Sequence, residues 1–176
     1  AFGGDSAAWK PANLHRLYTR VEPGLIRVDA DEVTYPAHVI LRYRIERALI
    51  EGDMKLADLP SAWNEMMQKL LGIVPEDDRN GCMQDIHWPA GAWGYFPTYT
   101  LGAMAAAQIF AAAREANPEI PDALSRGDFA PLMRWLGKNI HGQASSKSTD
   151  AILEAATGKA LGVDAFRAHL ENRYGQ

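Results

Sequence analysis

A histidine, a carboxylate and two phenols lie close together in one stretch of the sequence. The segment QDIHW (residues 84–88) places His87 beside Asp85, and Tyr95 and Tyr99 follow shortly after it. An imidazole can donate a proton or orient a substrate carbonyl, and a phenol can donate a hydrogen bond to a developing oxyanion. The same spacing also fits aromatic side chains packed around a hydrogen-bonded histidine, and on spacing alone this structural interpretation is favoured.

A second set of polar residues recurs at spacings of three and four, so its members share one face of a predicted helix: Asp31, Tyr35, His38, Arg42 and Glu46. This face either lines a cleft or is a solvated surface with local ion pairs, and the solvated surface is the favoured interpretation. Arg27 stands just ahead of the helix among apolar residues. There its guanidinium can bind a carboxylate through two hydrogen bonds, or pair with Asp29 or Asp31.

Several signatures of cofactor chemistry are missing from the sequence. The single cysteine, Cys82, has no neighbouring base and excludes CxxC motifs and an internal disulfide, so we expect an inert thiol and a reducing, cytoplasmic location. There is no HExxH or GxGxxG motif, and His15, His141 and His169 have no metal-ligand residue four positions later. We therefore assign no metal ligand within these residues.

Composition and length bound the class of protein. With 176 residues, 47% of them hydrophobic, the chain is expected to form one compact globular domain. The 18 basic and 22 acidic residues give a net charge of -4, which provides no electrostatic basis for nucleic-acid binding. No apolar run reaches the roughly 18 residues that a membrane span requires. The opening AFGGDS is not a signal peptide, and the chain is expected to begin inside a longer protein.

Hydrophobic periodicity predicts an all-α fold. Gly52 and Gly72 are expected to end the second and third helices, and Ser61 to cap the start of the third. Strand-like alternation is confined to residues 25–28, too short for a sheet. The predicted helices cover residues 11–21, 31–50, 62–71, 97–116, 129–140, 149–156 and 164–174.

The stretch 73–96 interrupts the helices with glycines and prolines, yet it is rich in aromatic residues. A long aromatic loop inside a helical domain is usually functional. It also contains one of three blocks that together resemble the carboxypeptidase Taq family of zinc metallocarboxypeptidases, whose GxxQDxHW signature is matched at every fixed position. The blocks are VEPGLIRVDADEVTY at 21–35, GCMQDIHW at 81–88 and GYFPTYTLG at 94–102, and the closing AATG at 155–158 adds to them.

This resemblance implies an all-helical fold with a deep groove, zinc as the cofactor, and release of single amino acids from peptide C-termini. The family's HExxH motif and a later glutamate hold the zinc and precede the matched region. Residues 1–176 are therefore expected to be the C-terminal helical region of a longer enzyme, inactive and prone to self-association when alone.

The resemblance also implies roles for particular residues. His87 and one of Tyr95 or Tyr99 would stabilise the oxyanion as catalytic residues, and Arg27 would receive the substrate's terminal carboxylate. Gln84 and Asp85 would complete the substrate-binding set. The expected partners are peptide substrates, with a homodimer as the assembly to test and neither nucleic acid nor membrane. The alternative is a non-catalytic, zinc-free helical module that binds peptides or a partner chain through the same aromatic groove.

Overall fold

The computed structural model describes residues 6–175, which contain eight α-helices and no strand. The all-α prediction is confirmed. Expectations for residues 1–5 lie outside the described range. Short 3₁₀ segments and turns connect the helices, which are α1 (Pro11–Tyr18), α2 (Tyr35–Glu51), α3 (Leu59–Leu71), α4 (Pro97–Ala116), α5 (Ile120–Ser125), α6 (Ala130–Asn139), α7 (Thr149–Thr157) and α8 (Asp164–Tyr174).

The start of α2 differs from the prediction because Asp31 forms a turn instead of the first helical residue. Its Oδ1 accepts hydrogen bonds from the backbone N–H groups of Val33 and Thr34, both at 2.9 Å. The helix then begins at Tyr35 with Pro36 in its first turn, where the absent N–H and fixed φ of proline are tolerated. Its end is confirmed at Gly52, which takes a left-handed φ of 82°.

The predicted cap of α3 was wrong. Helix α3 begins at Leu59, and Ser61 donates its hydroxyl to the Asp58 carbonyl at 2.8 Å instead of capping the helix. Residues 25–28 form no strand, as their length predicted, and a 3₁₀ turn covers Arg27–Asp29. Helix α5 was not predicted, because six residues are too few for a helical period to show.

The sequence length favoured one compact domain, but the chain divides into two compact units, each with buried apolar residues of its own. The first runs to Thr100 and includes the last residues from Arg173 onward. Its core joins α2 to α3 through five buried side chains, and the half-buried Cys82 and Trp88 pack against them from the 73–96 loop. The five core side chains are Leu41, Ile45, Trp63, Met67 and Leu71.

The second unit, Leu101–Asn172, is organised around a buried glutamine. The amide nitrogen of Gln108 on α4 donates to the Thr157 hydroxyl at 2.8 Å and to the Lys159 carbonyl at 3.0 Å, and its oxygen accepts from the Gly162 N–H at 3.1 Å. This network ties α4 to the turn after α7. Across residues 6–175, no helix is long and apolar enough to cross a membrane.

Candidate functional site

The site is centred on Asp85, whose carboxylate binds two guanidinium groups within the first unit. Oδ1 accepts from Arg27 Nη2 at 2.8 Å and Nε at 3.1 Å. Oδ2 accepts from Arg42 Nε at 2.6 Å and also forms an ion pair with Arg42 Nη2 at 2.5 Å. Burial acts to raise the pKa of Asp85, but the two arginines outweigh it and hold the pKa below its usual range. Asp85 is therefore ionised, and its carboxylate fixes the positions of both guanidinium groups.

Gln84, an uncharged side chain, also forms hydrogen bonds with the same arginines. Its carbonyl oxygen accepts from the Arg27 backbone N–H and from Arg42 Nη2, both at 2.9 Å. Its amide nitrogen donates to the carbonyls of Leu25 and Asn80 at 3.1 and 2.9 Å. Gln84 thereby fixes the loop to the segment that precedes α2. Contact of Gln84 and Asp85 with a substrate stays a prediction.

Arg27 lies in a cage of aromatic rings. Its Nη1 donates to the Tyr35 hydroxyl at 2.7 Å, and its guanidinium carbon lies 5.1 Å from the Tyr99 ring centroid and 5.6 Å from that of Phe96. Burial acts to lower the pKa of Arg27, but its hydrogen bonds and proximity to Asp85 raise the pKa above its ordinary value. The sequence had left local pairing with Asp29 or Asp31 open, and the structure pairs Arg27 with Asp85 instead.

Arg27 retains hydrogen-bonding capacity. Of the five N–H groups of a guanidinium, three are used by Asp85 and Tyr35. The other two, one on each Nη atom, make no hydrogen bond within residues 6–175. Two N–H groups of a guanidinium can bind the two oxygens of a carboxylate, and Arg27 itself is 6% exposed.

The polar face of α2 is not a solvated surface, and that interpretation was wrong for three of its residues. His38 and Arg42 are 0% exposed and Glu46 is 3% exposed. Arg42 makes its ion pair with the loop and its guanidinium carbon lies 4.6 Å from the Trp63 ring centroid. Burial, only partly offset by Asp85, lowers the pKa of Arg42 to about 10, so the side chain stays cationic at neutral pH.

His38 is a buried imidazole whose two ring nitrogens have no partner at full hydrogen-bond geometry within the described part of the chain. Burial, together with the positive charge of Arg42, lowers the pKa of His38 to about 4, although a polar contact with the Gly24 backbone acts to raise this pKa. The side chain is neutral at physiological pH, which avoids a third cation beside the two arginines.

We expect His38 to make stability depend on pH. Its folded pKa lies below that of the unfolded chain, so between about pH 6.5 and 4 the unfolded state binds the extra proton. The free energy of unfolding should therefore fall by about 3 kcal/mol as pH drops through that window. Urea unfolding of His38→Leu should lack this slope, whereas His15→Leu at an exposed position should retain it. An identical slope in both variants would contradict this prediction.

His87 contacts both candidate phenols. Its Nε2 and the Tyr99 hydroxyl are hydrogen bonded at 3.1 Å, and its ring centroid lies 5.5 Å from that of Tyr95. Its Nδ1 lies 3.8 Å from Asp85 Oδ1, beyond hydrogen-bond distance. Burial raises the pKa of Tyr99, although the charge of Arg27 acts in the opposite direction. Tyr99 therefore keeps its phenolic proton, and the direction of its hydrogen bond to Nε2 follows from the His87 tautomer. Tyr95, at 48% exposed, is the more accessible phenol.

Each fixed position of GxxQDxHW has a physical role. At Gly81, a Cβ atom would come 3.1 Å from the Asp77 carbonyl oxygen, so a larger residue would crowd the turn. Gln84 and Asp85 hold the arginines, and His87 binds Tyr99. The indole of the closing tryptophan donates to a buried carboxylate of α2 at 2.7 Å. The signature therefore describes how the loop is attached as well as which groups it presents.

The described residues do not fit a metal ion. Nowhere in residues 6–175 do three histidine, cysteine, aspartate or glutamate side chains form a group that could hold one. Burial, with a smaller contribution from the charge of Asp78, raises the pKa of the Cys82 thiol, so it stays protonated, as expected of an inert cysteine.

The chain matches the family described as carboxypeptidase Taq (M32) metallopeptidase over residues 1–174, and it belongs to that family. It is 43% identical to Carboxypeptidase 1 of Bacillus subtilis over 90% of its length, and 42% identical to Thermostable carboxypeptidase 1 of Thermus thermophilus over 92%. The solved structure of Trypanosoma cruzi metallocarboxypeptidase 1 superposes with a TM-score of 0.94 at 44% identity, covering 98% of the chain.

The match is to one part of these relatives. The chain covers 32% of each of the two bacterial proteins and 36% of the trypanosomal structure, so it spans about a third of their length. What the relatives' names say about activity therefore concerns proteins that contain much more than the residues described in this structure.

Proposed function

We propose that the complete protein is a zinc metallocarboxypeptidase that releases single amino acids from peptide C-termini, and that this chain supplies substrate-binding and oxyanion-stabilising residues. Membership of the metallopeptidase family supports the class. The observation that carries the substrate assignment is Arg27, held by Asp85 and Tyr35 with two N–H groups not used within the described residues.

Arg27 binds the terminal carboxylate in this proposal. Asp85 and Tyr35 fix the plane of the guanidinium before substrate arrives, so little side-chain entropy is lost on binding. Gln84 holds the Arg27 backbone, which leaves the fork in one orientation. A fixed terminal carboxylate places the last peptide bond at a set distance from Arg27, which is the selection that an exopeptidase requires.

His87 and Tyr99 act as a unit towards the scissile carbonyl in this proposal. In the tautomer in which Nε2–H of His87 donates to the Tyr99 oxygen, the Tyr99 hydroxyl is free to donate to a substrate oxygen, or that oxygen replaces Tyr99 as the acceptor at Nε2. Tyr95 packs against both rings, with centroid distances of 5.5 and 5.4 Å, and is the second donor to the oxyanion. Zinc is the cofactor that the family resemblance implies, and no step is assigned to it because residues 6–175 offer no ligand group for it.

We further propose a cytoplasmic location, peptide substrates and a homodimer, with no nucleic acid or membrane as a partner. The single cysteine supports a reducing compartment. In the first unit, Leu17 and Tyr18 on α1 and Met83 and Ile86 on the loop are largely exposed, which leaves apolar side chains available to a partner subunit.

Metal removal tests the proposed activity. The protein expressed from its complete gene should cleave an N-blocked dipeptide with a free C-terminus, lose that activity after treatment with a chelator such as dipicolinate, and regain it with Zn²⁺. The C-terminally amidated dipeptide is the matched control and should be cleaved far more slowly. Full activity after exhaustive chelation would contradict the metallopeptidase proposal.

His87→Ala should lower kcat by about 10²-fold or more with little change in KM, because its hydrogen bond strengthens only in the transition state. Tyr99→Phe should lose kcat in the same direction. The double variant should lose no more than His87→Ala, since the two side chains form one unit. Steady-state kinetics of the complete enzyme measures this, with His15→Ala as the exposed control. A change in KM alone would exclude oxyanion stabilisation.

A second candidate is a non-catalytic helical module that binds peptides without metal. It is favoured by the lack of a ligand group for a metal in residues 6–175. Under the leading proposal, the isolated 176-residue chain does not hydrolyse a blocked dipeptide. Peptide binding to the metal-free chain, combined with no hydrolysis by the product of the complete gene, would favour the module instead.

A further inference from the structure

The part of the loop between His87 and Tyr95 is attached to α2 by one buried carboxylate, in addition to the attachment of Gln84 and Asp85 to Arg42. Glu46 Oε2 accepts from the Trp88 indole N–H at 2.7 Å, and its Oε1 accepts from the Gly94 backbone N–H. Trp88 immediately follows His87, and Gly94 immediately precedes Tyr95. The Glu46 side chain is therefore hydrogen bonded to the loop next to His87 and next to Tyr95.

The loop between these attachment points is closed by its own backbone. The Ala92 N–H donates to the His87 carbonyl at 2.8 Å, and the Gly91 N–H donates to the Trp88 carbonyl at 2.9 Å. Gly94 takes a φ of 75°, in the left-handed region that favours glycine. Because the loop is compact, a shift at either attachment point changes the spacing between the His87 ring and Tyr95.

The chemistry of Glu46 indicates more than packing. It is 3% exposed, and among the described residues no cation forms an ion pair with it. Burying a carboxylate is costly unless hydrogen bonds compensate for lost water, and this one is compensated by two N–H donors of the loop. An amide of the same shape could accept from only one of these donors and would turn its own N–H₂ group towards the other.

We propose that Glu46 is a positioning residue for the reaction: it touches no substrate but sets the relative placement of His87 and Tyr95. This rests on the proposed function, in which those two groups face the scissile carbonyl. The role differs from that of Asp85, which holds the arginines, because Glu46 holds the opposite part of the loop.

Glu46→Gln in the complete enzyme tests the proposal. We expect kcat for a peptide with a free C-terminus to fall about 10- to 100-fold with KM changed less than about twofold, because displacing the reacting groups acts on the transition state. Glu46→Asp keeps both acceptor oxygens on a shorter side chain and should recover part of the loss. Glu51→Gln, an exposed carboxylate on the same helix, is the matched control and should retain wild-type kinetics.

If Glu46→Gln lowered the melting temperature and left kcat unchanged, the role of Glu46 would be structural only and the proposal would be overturned. If the Gln variant does not fold, the Asp variant decides: a reduced kcat supports the proposal and a wild-type kcat overturns it. NMR keeps the proposal testable even if the wild-type protein proves inactive. Either variant should shift the Trp88 indole N–H and His87 ring resonances, and unchanged His87 resonances would overturn it independently of catalysis.

Discussion

Arg27→Ala in the complete enzyme is expected to lower kcat/KM for peptides with a free C-terminus about 10²- to 10⁴-fold, while the slow turnover of amidated peptides changes little. Two hydrogen bonds to a carboxylate contribute about 1.5–3 kcal/mol each, and an amidated terminus forms neither as a charged pair. Removing Arg27 does not leave Asp85 unpaired, because Arg42 still binds its other oxygen. The loss should therefore reflect recognition rather than unfolding.

Two variants sharpen this experiment. Arg27→Lys keeps the positive charge but cannot reproduce the planar fork, so most of the loss should remain. Arg20→Ala removes an exposed arginine that pairs with Glu22 and should retain wild-type kinetics. If Arg27→Ala lowered kcat/KM equally for substrates with free and amidated C-termini, Arg27 would have no role in binding the terminal carboxylate.

Asp85→Ala is expected to have the largest effect on stability. It leaves Arg42, which is 0% exposed, without its anionic partner, and breaking a buried ion pair on one side costs about 3–5 kcal/mol. Thermal or urea unfolding of the complete protein measures this loss. Activity should fall as well, because Arg27 loses the carboxylate that orients it.

A double variant distinguishes an unpaired charge from simple loss of packing. Asp85→Ala combined with Arg42→Met removes the carboxylate and the more buried of its two arginines but leaves Arg27 unpaired. It should therefore recover part of the stability lost in Asp85→Ala while activity stays low. Asp164→Ala, which removes an exposed ion pair with Arg167, is the control for the single change and should cost about 0–1 kcal/mol. Strictly additive losses in the double variant would show that Asp85 and Arg42 are not coupled.

The helices were largely predictable because their signals are local. The bounds of α4 and α8 agree with the predicted 97–116 and 164–174, and Gly52 and Gly72 end their helices with positive φ. Helix starts were less predictable, since Asp31 and Pro60 favour turns and first-turn geometry that periodicity does not distinguish from the helix interior. The short helix α5 lies below the length at which a period can be read.

The site was predicted only where a motif named its residues. The hydrogen bond between His87 and Tyr99 joins two residues that the sequence had singled out. The burial of His38, Arg42 and Glu46 was missed because a polar stripe at helical spacing is usually solvated. One signal was present: Arg42 and Glu46 directly follow Leu41 and Ile45, so the polar stripe borders the apolar one. Their partners, more than forty residues away in the loop, could not be inferred from local spacing.

A crystal structure of the complete protein with the released C-terminal amino acid bound tests most directly whether Arg27 binds the terminal carboxylate. We expect the terminal carboxylate within about 3 Å of both Nη atoms of Arg27, with Asp85 and Tyr35 still bound to the guanidinium and His87 and Tyr95 facing the product's amine end. A carboxylate bound to another cation, with Arg27 contacting only Asp85 and Tyr35, would contradict it.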